Sequence, residues 1–170
     1  MARLCGDEPL TLSSDALAAL QSHDRVAGVL NADNIRNLGG LMSADSLALQ
    51  AAQDIENVGG RLQAQSAAAL VAGHDIRFTT TTSSASSAAG GNRFTQTGVD
   101  RVAGLYVTGP AGALLASAGH DIQLTGAQIR NADAASTTVL HAGNDIQLDT
   151  VTTGRSQAIL WDSHNHLSQS

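Results

Sequence analysis

Aromatic side chains are almost missing from this chain, which has one Trp, one Tyr and two Phe in 170 residues. A globular enzyme of this size draws much of its core volume from such rings, so the interior here must be narrow and built from Ala, Leu, Ile and Val. Lysine is absent, and all nine basic residues are Arg. With a net charge of −6 and no basic run, no stripe exists that displaces counterions from a polyphosphate. That excludes nucleic acid as a partner and weighs against anionic lipid. Cys5 is the single cysteine, so neither an intrachain disulfide nor a thiolate metal cluster is available. No apolar run reaches the ~18 residues of a membrane-spanning helix, and Met1 to Leu10 holds no apolar signal core.

Glycine is plentiful, at 17 residues, and it marks internal repeats. Asn34-Ile35-Arg36-Asn37-Leu38-Gly39-Gly40 is echoed 20 residues later by Asp54-Ile55-Glu56-Asn57-Val58-Gly59-Gly60. Ala72-Gly73-His74-Asp75-Ile76-Arg77-Phe78 returns as Ala118-Gly119-His120-Asp121-Ile122-Gln123-Leu124, and 24 residues on as Ala142-Gly143-Asn144-Asp145-Ile146-Gln147-Leu148. Ile129-Arg130-Asn131 supplies a third Ile-x-Asn element. A period of 20–24 residues is too short for helical repeats, and the fixed Leu frame of leucine-rich repeats is missing. Apolar residues alternate on either side of Gly-x-Asp corners, which reads as short strands joined by turns. The fold class these features predict is all-β, a right-handed parallel β-helix, or solenoid.

In such a stack, repeats lie about 4.8 Å apart and equivalent side chains form ladders. Ile35, Ile55, Ile76, Ile122 and Ile146 are expected as one interior aliphatic ladder. Asn37, Asn57 and Asn131 are expected as an amide ladder. Asp54, Asp75, Asp121 and Asp145 recur at one corner, where like charges repel. The structural reading makes each a cap on corner N–H groups, in an Asx-type turn facing water. A calcium ladder would need a Gly-Gly-x-Gly-x-Asp spacing that is not present.

The period fails between Phe78 and Ala118. Four expected segments follow: residues 1–28 as an irregular coil or cap, 29–78 as stacked repeats, 79–108 as a Thr/Ser-rich insertion with a returning strand, and 109–170 as further repeats and a C-terminal strand. Within the first, Ser14-Asp15-Ala16-Leu17-Ala18-Ala19-Leu20 fits a short helix capped by Ser14 or an irregular coil. Within the third, the Thr- and Ser-rich run around Gly90-Gly91-Asn92 fits a projecting hairpin or a loop. Gly109-Pro110 turns the chain into the next repeat.

The Ala-Gly-x-Asp-Ile-x-Leu strings, the segment Thr97-Gly98-Val99-Asp100-Arg101-Val102-Ala103-Gly104-Leu105-Tyr106-Val107-Thr108-Gly109 and the closing Ala158-Ile159-Leu160-Trp161-Asp162 resemble the haemagglutinin repeats of filamentous haemagglutinin-type exoproteins. The likeness is closest to contact-dependent growth inhibition effectors of the CdiA kind and covers roughly residues 30–165. It implies a segment of a long adhesin secreted to the outer surface of a Gram-negative bacterium through an outer-membrane two-partner secretion transporter. There it would meet a target-cell surface and carry a C-terminal toxin towards it. The chain is short for that family, and no secretion domain, receptor-binding region or toxin is recognisable in it.

Chemistry has fewer footholds. Asp162, His164 and His166 alternate, so a strand would place them on one face as half of a metal site. With no second pair of ligands identifiable, a solvated strand explains them too. His74 and His120 share one corner position and would stack if their repeats adjoin, while Asn144 takes that place in the third copy. Some β-helices act on polysaccharides with clustered carboxylates, but here the acids sit singly. The expectation is therefore a structural and delivery segment with no catalytic residues and no cofactor. An adhesive surface for a receptor or glycan is the alternative, and a polysaccharide-active enzyme a remote one. Open ends of such a stack also favour end-to-end self-association.

Overall fold

The computed structural model describes residues 3–4, 10–12, 27–89 and 91–159. Every regular element among them is a strand: β1 (Arg3–Leu4), β2 (Leu10–Leu12), β3 (Ala27–Ala32), β4 (Ile35–Leu38), β5 (Leu41–Ala51), β6 (Ile55–Val58), β7 (Arg61–Ala72), β8 (Ile76–Thr79), β9 (Thr81–Ala89) and β10 (Asn92–Arg101). There follow β11 (Gly104–Val107), β12 (Ala113–Ala118), β13 (Ile122–Thr125), β14 (Gln128–Asn131), β15 (Thr137–Ala142), β16 (Ile146–Asp149) and β17 (Gly154–Ala158). The protein is all-β with two parallel sheets and one antiparallel sheet.

Each repeat contributes to both parallel sheets in turn. One sheet runs β2-β4-β6-β8-β13-β16 in space; the other runs β1-β3-β5-β7 and then divides, its next layers being β11 and β12, followed by β14 and β15. Strands separated by a whole repeat thus lie side by side, which only parallel pairing with long returns allows. The branch has a simple cause. The long strand β7 pairs through Arg61–Ala64 with β11 and through Ala67–Ala72 with β12. Between β11 and β12 the chain detours through Thr108–Gly112, and that detour lengthens the later repeats to 24 residues, against 20 for the first.

A single cluster of buried side chains draws on both sheets, including Leu49, Leu70, Leu105, Leu114 and Ala116 from one and Ile55, Ile76, Phe78 and Ile122 from the other. Alternation explains it. In β8, Ile76 and Phe78 point inward while Arg77 and Thr79 are half-buried. Each fully buried Ile or Leu contributes roughly 1.5–3 kcal/mol. Ala51, Ala72, Ala118 and Ala142 stand in one row beside the corner, and their small side chains let the two sheets converge there.

Three findings correct the expected organisation. Within 1–28, expected to be irregular or helical, the described residues are strands: β1 pairs with β3 and β2 with β4, continuing both parallel sheets. The helix expected at Ser14–Leu20 lies outside the described residues. The insertion is ordered as a hairpin, with β9 antiparallel to β10 from Ala89↔Asn92 down to Thr81↔Arg101. The C-terminal strand β17 does not extend the repeats; it pairs antiparallel with the far side of β10, Arg93 facing Ala158 and Thr97 facing Gly154. The alternating Thr, Ser and Gln of 93–97 and 154–158 suit a two-sided solvated sheet of this kind.

Candidate functional site

The corner between β7 and β8, and its equivalents above and below, gathers most of the ionisable side chains that approach one another. Its backbone comes first. Gly73, Gly119 and Gly143 follow the last alanine of each strand, and a Cβ on any of them would run into the main-chain carbonyl oxygen of Ala52, Gly73 or Gly119 in the preceding repeat. Only glycine permits that approach. The N–H of Gly119 donates to Ala72 O at 3.0 Å and that of His120 to His74 O at 2.8 Å, so successive corners are layered in register.

On this layering the aspartates form a relay. Asp54 Oδ1 accepts the N–H of Asp75 at 3.0 Å, Asp75 Oδ1 that of Asp121 at 3.0 Å, and Asp121 Oδ1 that of Asp145 at 3.1 Å. Asn34 Oδ1 opens the series by accepting the N–H of Asp54 at 3.3 Å. Each carboxylate therefore caps the corner of the next repeat, not a turn of its own. Nor do all face water, as expected for surface caps: Asp75 is 2% and Asp121 8% exposed. Buried charge demands partners, and Asp75 has them. Arg77 Nη2 and Asp75 Oδ2 form an ion pair, and Arg77 Nη1 reaches Asp54 Oδ2 at 3.4 Å. Burial pushes the Asp75 carboxyl up, but the Asp121 N–H, His120, Arg77 and His74 outweigh it and hold it below the usual carboxylate value.

The histidines lie along the same line. His74 and His120, 46 residues apart in sequence, stack with ring centroids 4.9 Å apart and planes 12° from parallel. His74 Nδ1 lies 3.4 Å from Asp54 Oδ1 and 3.3 Å from Asp75 Oδ2. His120 Nδ1 lies 3.2 Å from Asp75 Oδ1 and 3.3 Å from Asp121 Oδ2. In the third repeat Asn144 Nδ2 donates to Asp121 Oδ1 at 3.0 Å, filling the same place.

The other ladders are placed as follows. Ile35, Ile55, Ile76, Ile122 and Ile146 are consecutive Cα partners across β4, β6, β8, β13 and β16. The first four are at most 1% exposed, whereas Ile146, on the edge strand, is 45% exposed. Asn37 Nδ2 donates to Asn57 Oδ1 at 2.9 Å, and both side chains are buried. Asn131 is a correction: it sits in the other sheet, opposite Val107 on β11. The short string Ile-x-Asn also fits β14, where the Asn closes a different turn, its Nδ2 donating to Gly112 O and Thr137 O at 3.0 Å. The amide row instead continues with Phe78, Leu124 and Leu148. Asp162, His164 and His166 lie outside the described residues.

Three residues that close the insertion carried no signal in the repeats. Thr80 is 4% exposed; its hydroxyl donates to Gly126 O at 2.8 Å and accepts the N–H of Ala103 at 3.0 Å. Arg101, at the foot of the hairpin, donates from Nη1 to Gly39 O at 3.2 Å. On the outer face of β11, the Tyr106 ring lies 4.5 Å from the Arg61 guanidinium, and its hydroxyl bonds Gln128 Oε1 at 3.0 Å. The Arg77–Asp75 pair was the legible part of this group, since residues two apart on a strand share a face.

Comparison with protein families, curated proteins and solved structures finds no match for this chain.

Proposed function

We propose that the chain winds as a right-handed parallel β-helix and serves as a non-catalytic structural and delivery segment of a large secreted filamentous exoprotein. In this reading it reaches the surface of a Gram-negative bacterium through an outer-membrane two-partner secretion transporter and extends towards a target cell. The observation that carries the proposal is the unbroken parallel register from Ile35 to Ile146. A stack that adds one layer per repeat gains length without new chemistry, which is what a stalk requires. The resemblance of the Ala-Gly-x-Asp-Ile-x-Leu strings and of Thr97–Gly109 to haemagglutinin repeats supports the biological setting. Against catalysis, Asp54, Asp75 and Asp121 are each committed to a backbone N–H of the next repeat. A carboxylate so engaged is a poor general base.

An adhesive surface is the second reading, favoured by one observation. The strands β9, β10 and β17 present a mostly exposed face of small hydroxyl side chains, including the row Ser86, Thr95 and Ser156. End-to-end self-association is a further partner proposal, supported by exposed Val139, Ile146 and Leu148 on the edge strands β15 and β16.

The decisive test is the flanking reading frame together with a shortened hairpin. An upstream secretion domain and a downstream toxin support the exoprotein, while flanking cytoplasmic enzyme domains overturn it. The hairpin variant joins Ser84 to Thr97 through Asn-Gly and spares Thr80. Unchanged cell attachment with unchanged β circular dichroism supports a scaffold. Lost attachment with the same spectrum transfers the function to the hairpin.

A further inference from the structure

The geometry points to a two-histidine metal site formed by the Nε2 atoms of His74 and His120, which clips together the repeats on either side of the hairpin. The ligand it would take is a borderline divalent cation such as Zn²⁺ or Ni²⁺. This inference stands apart from the exoprotein reading, since it needs only the corner geometry.

The argument begins with the proton on each ring. Both Nδ1 atoms face carboxylate oxygens at 3.2–3.4 Å. In the third repeat the equivalent place holds an amide N–H donor, Asn144 Nδ2 on Asp121 Oδ1. The slot asks for a donor. Each imidazole therefore carries its proton on Nδ1 and keeps its lone pair on Nε2. A carboxylate behind the far nitrogen is the usual second shell of a metal-bound histidine, fixing the tautomer and raising the basicity of the ligating atom. Here Asp75 stands behind both rings, itself buried and held by Arg77 and the Asp121 N–H. It is a positioning residue, because its oxygens are already engaged.

The rings are also placed for one ion. Stacked 4.9 Å apart and 12° from parallel, they direct both Nε2 atoms the same way. A tetrahedral centre with metal–nitrogen bonds of about 2.1 Å needs the two nitrogens about 3.4 Å apart. The side chains are 53% and 49% exposed, so a modest tilt of their outer edges closes that gap without disturbing the core. Water completes the coordination. Charge favours the cation: Asp54, Asp75 and Asp121 with the single Arg77 leave about two negative charges beside neutral imidazoles. His74, Asp75 and His120 each offer a donor atom within 4.8 Å of the others. The metal would bridge the two repeats that the hairpin separates in sequence, and binding only the folded state it would raise stability.

The experiment is thermal unfolding of the full chain with and without zinc chloride, for wild type and for His74→Asn and His120→Asn. Asparagine is the residue the third repeat uses, so the donor to the carboxylate stays and only Nε2 is removed. The expected result is a zinc-dependent rise of the unfolding midpoint in wild type. In each variant the zinc concentration needed should rise by more than the roughly 10–100-fold that loss of an orienting partner costs. Calcium should leave the midpoint unchanged, because imidazole does not suit hard cations. No response of wild type to millimolar zinc overturns the site, as does an equal response in wild type and both variants, which would place binding elsewhere in the chain. Should either variant fail to fold, Ni²⁺ broadening of histidine ring resonances in wild type decides. Joint broadening of His74 and His120 supports the site, and broadening of neither overturns it.

Discussion

At one corner of the repeats the polar residue is a carboxylate, present four times from Asp54 to Asp145; at the other it is an amide, present only as Asn37 and Asn57. The two sets of side chains point in different directions. Each of the first three aspartates accepts an N–H from the next repeat. The Asn37 side chain bonds mainly within its own turn, to both the N–H and the carbonyl of Gly40 at 3.1 Å. Removing a layer at the first corner strands a buried amide in its neighbour. Replacing the second leaves the rest of the stack intact, and that is where the hairpin departs, with Thr80 taking over the hydrogen bonding. An inter-repeat contact resists insertion, and a self-contained turn accepts it.

The glycines break or sharpen this contrast most strongly. Gly119→Ala drives a methyl into the main-chain carbonyl of Gly73, and a loss of about 3 kcal/mol in urea unfolding is expected. Gly60→Ala meets the side-chain amides of Asn37 and Asn57 instead, which can yield, so about 1–2 kcal/mol is expected. Equal losses would erase the distinction between the corners.

Next in size is Asp75→Asn, expected to cost about 1–3 kcal/mol at neutral pH. The folded carboxyl lies below its ordinary value of 3.8, so its contribution is present above that pH and disappears as pH falls through the lower folded value. Wild-type and variant unfolding curves should therefore converge in acid. A difference that stays constant down to pH 2 would show that the charge plays no part.

Smaller still is the hairpin shortened between Ser84 and Thr97, expected to stay within about 1 kcal/mol of wild type in the same urea assay. Loop length enters closure entropy only logarithmically, and the residues removed are mostly exposed. The smallest change concerns the detour between β11 and β12, where Ala111 has a φ of 51°. A left-handed alanine costs about 1–2 kcal/mol, and glycine returns part of that through chain entropy. Ala111→Gly should therefore raise stability by up to about 1 kcal/mol, with the Asp133 contact to the Ala111 N–H preserved.

Much of this was legible in the repeats. Equal spacing of Ile35 and Ile55, and of Ile122 and Ile146, marks residues that share one inward face, because alternation leaves no other assignment for them. The corner glycines and aspartates were legible for the same reason. Asn131 misled because three residues are too few to tell one turn from another. The pairing of β17 with β10 was not legible either: both are polar alternating strands, and nothing in such a pattern names its partner.

By itself the sequence determined the all-β class, the parallel layering and the identity of the stacked corner, since a repeated string placed at a fixed period must meet its own copies. Tertiary structure alone decided that His74 meets His120 across an insertion, that Asp75 becomes buried and paired with Arg77, and that Thr80 closes the gap where the hairpin leaves. Those outcomes depend on which layers become neighbours once the interruption is looped out, and distance along the chain does not encode distance in space.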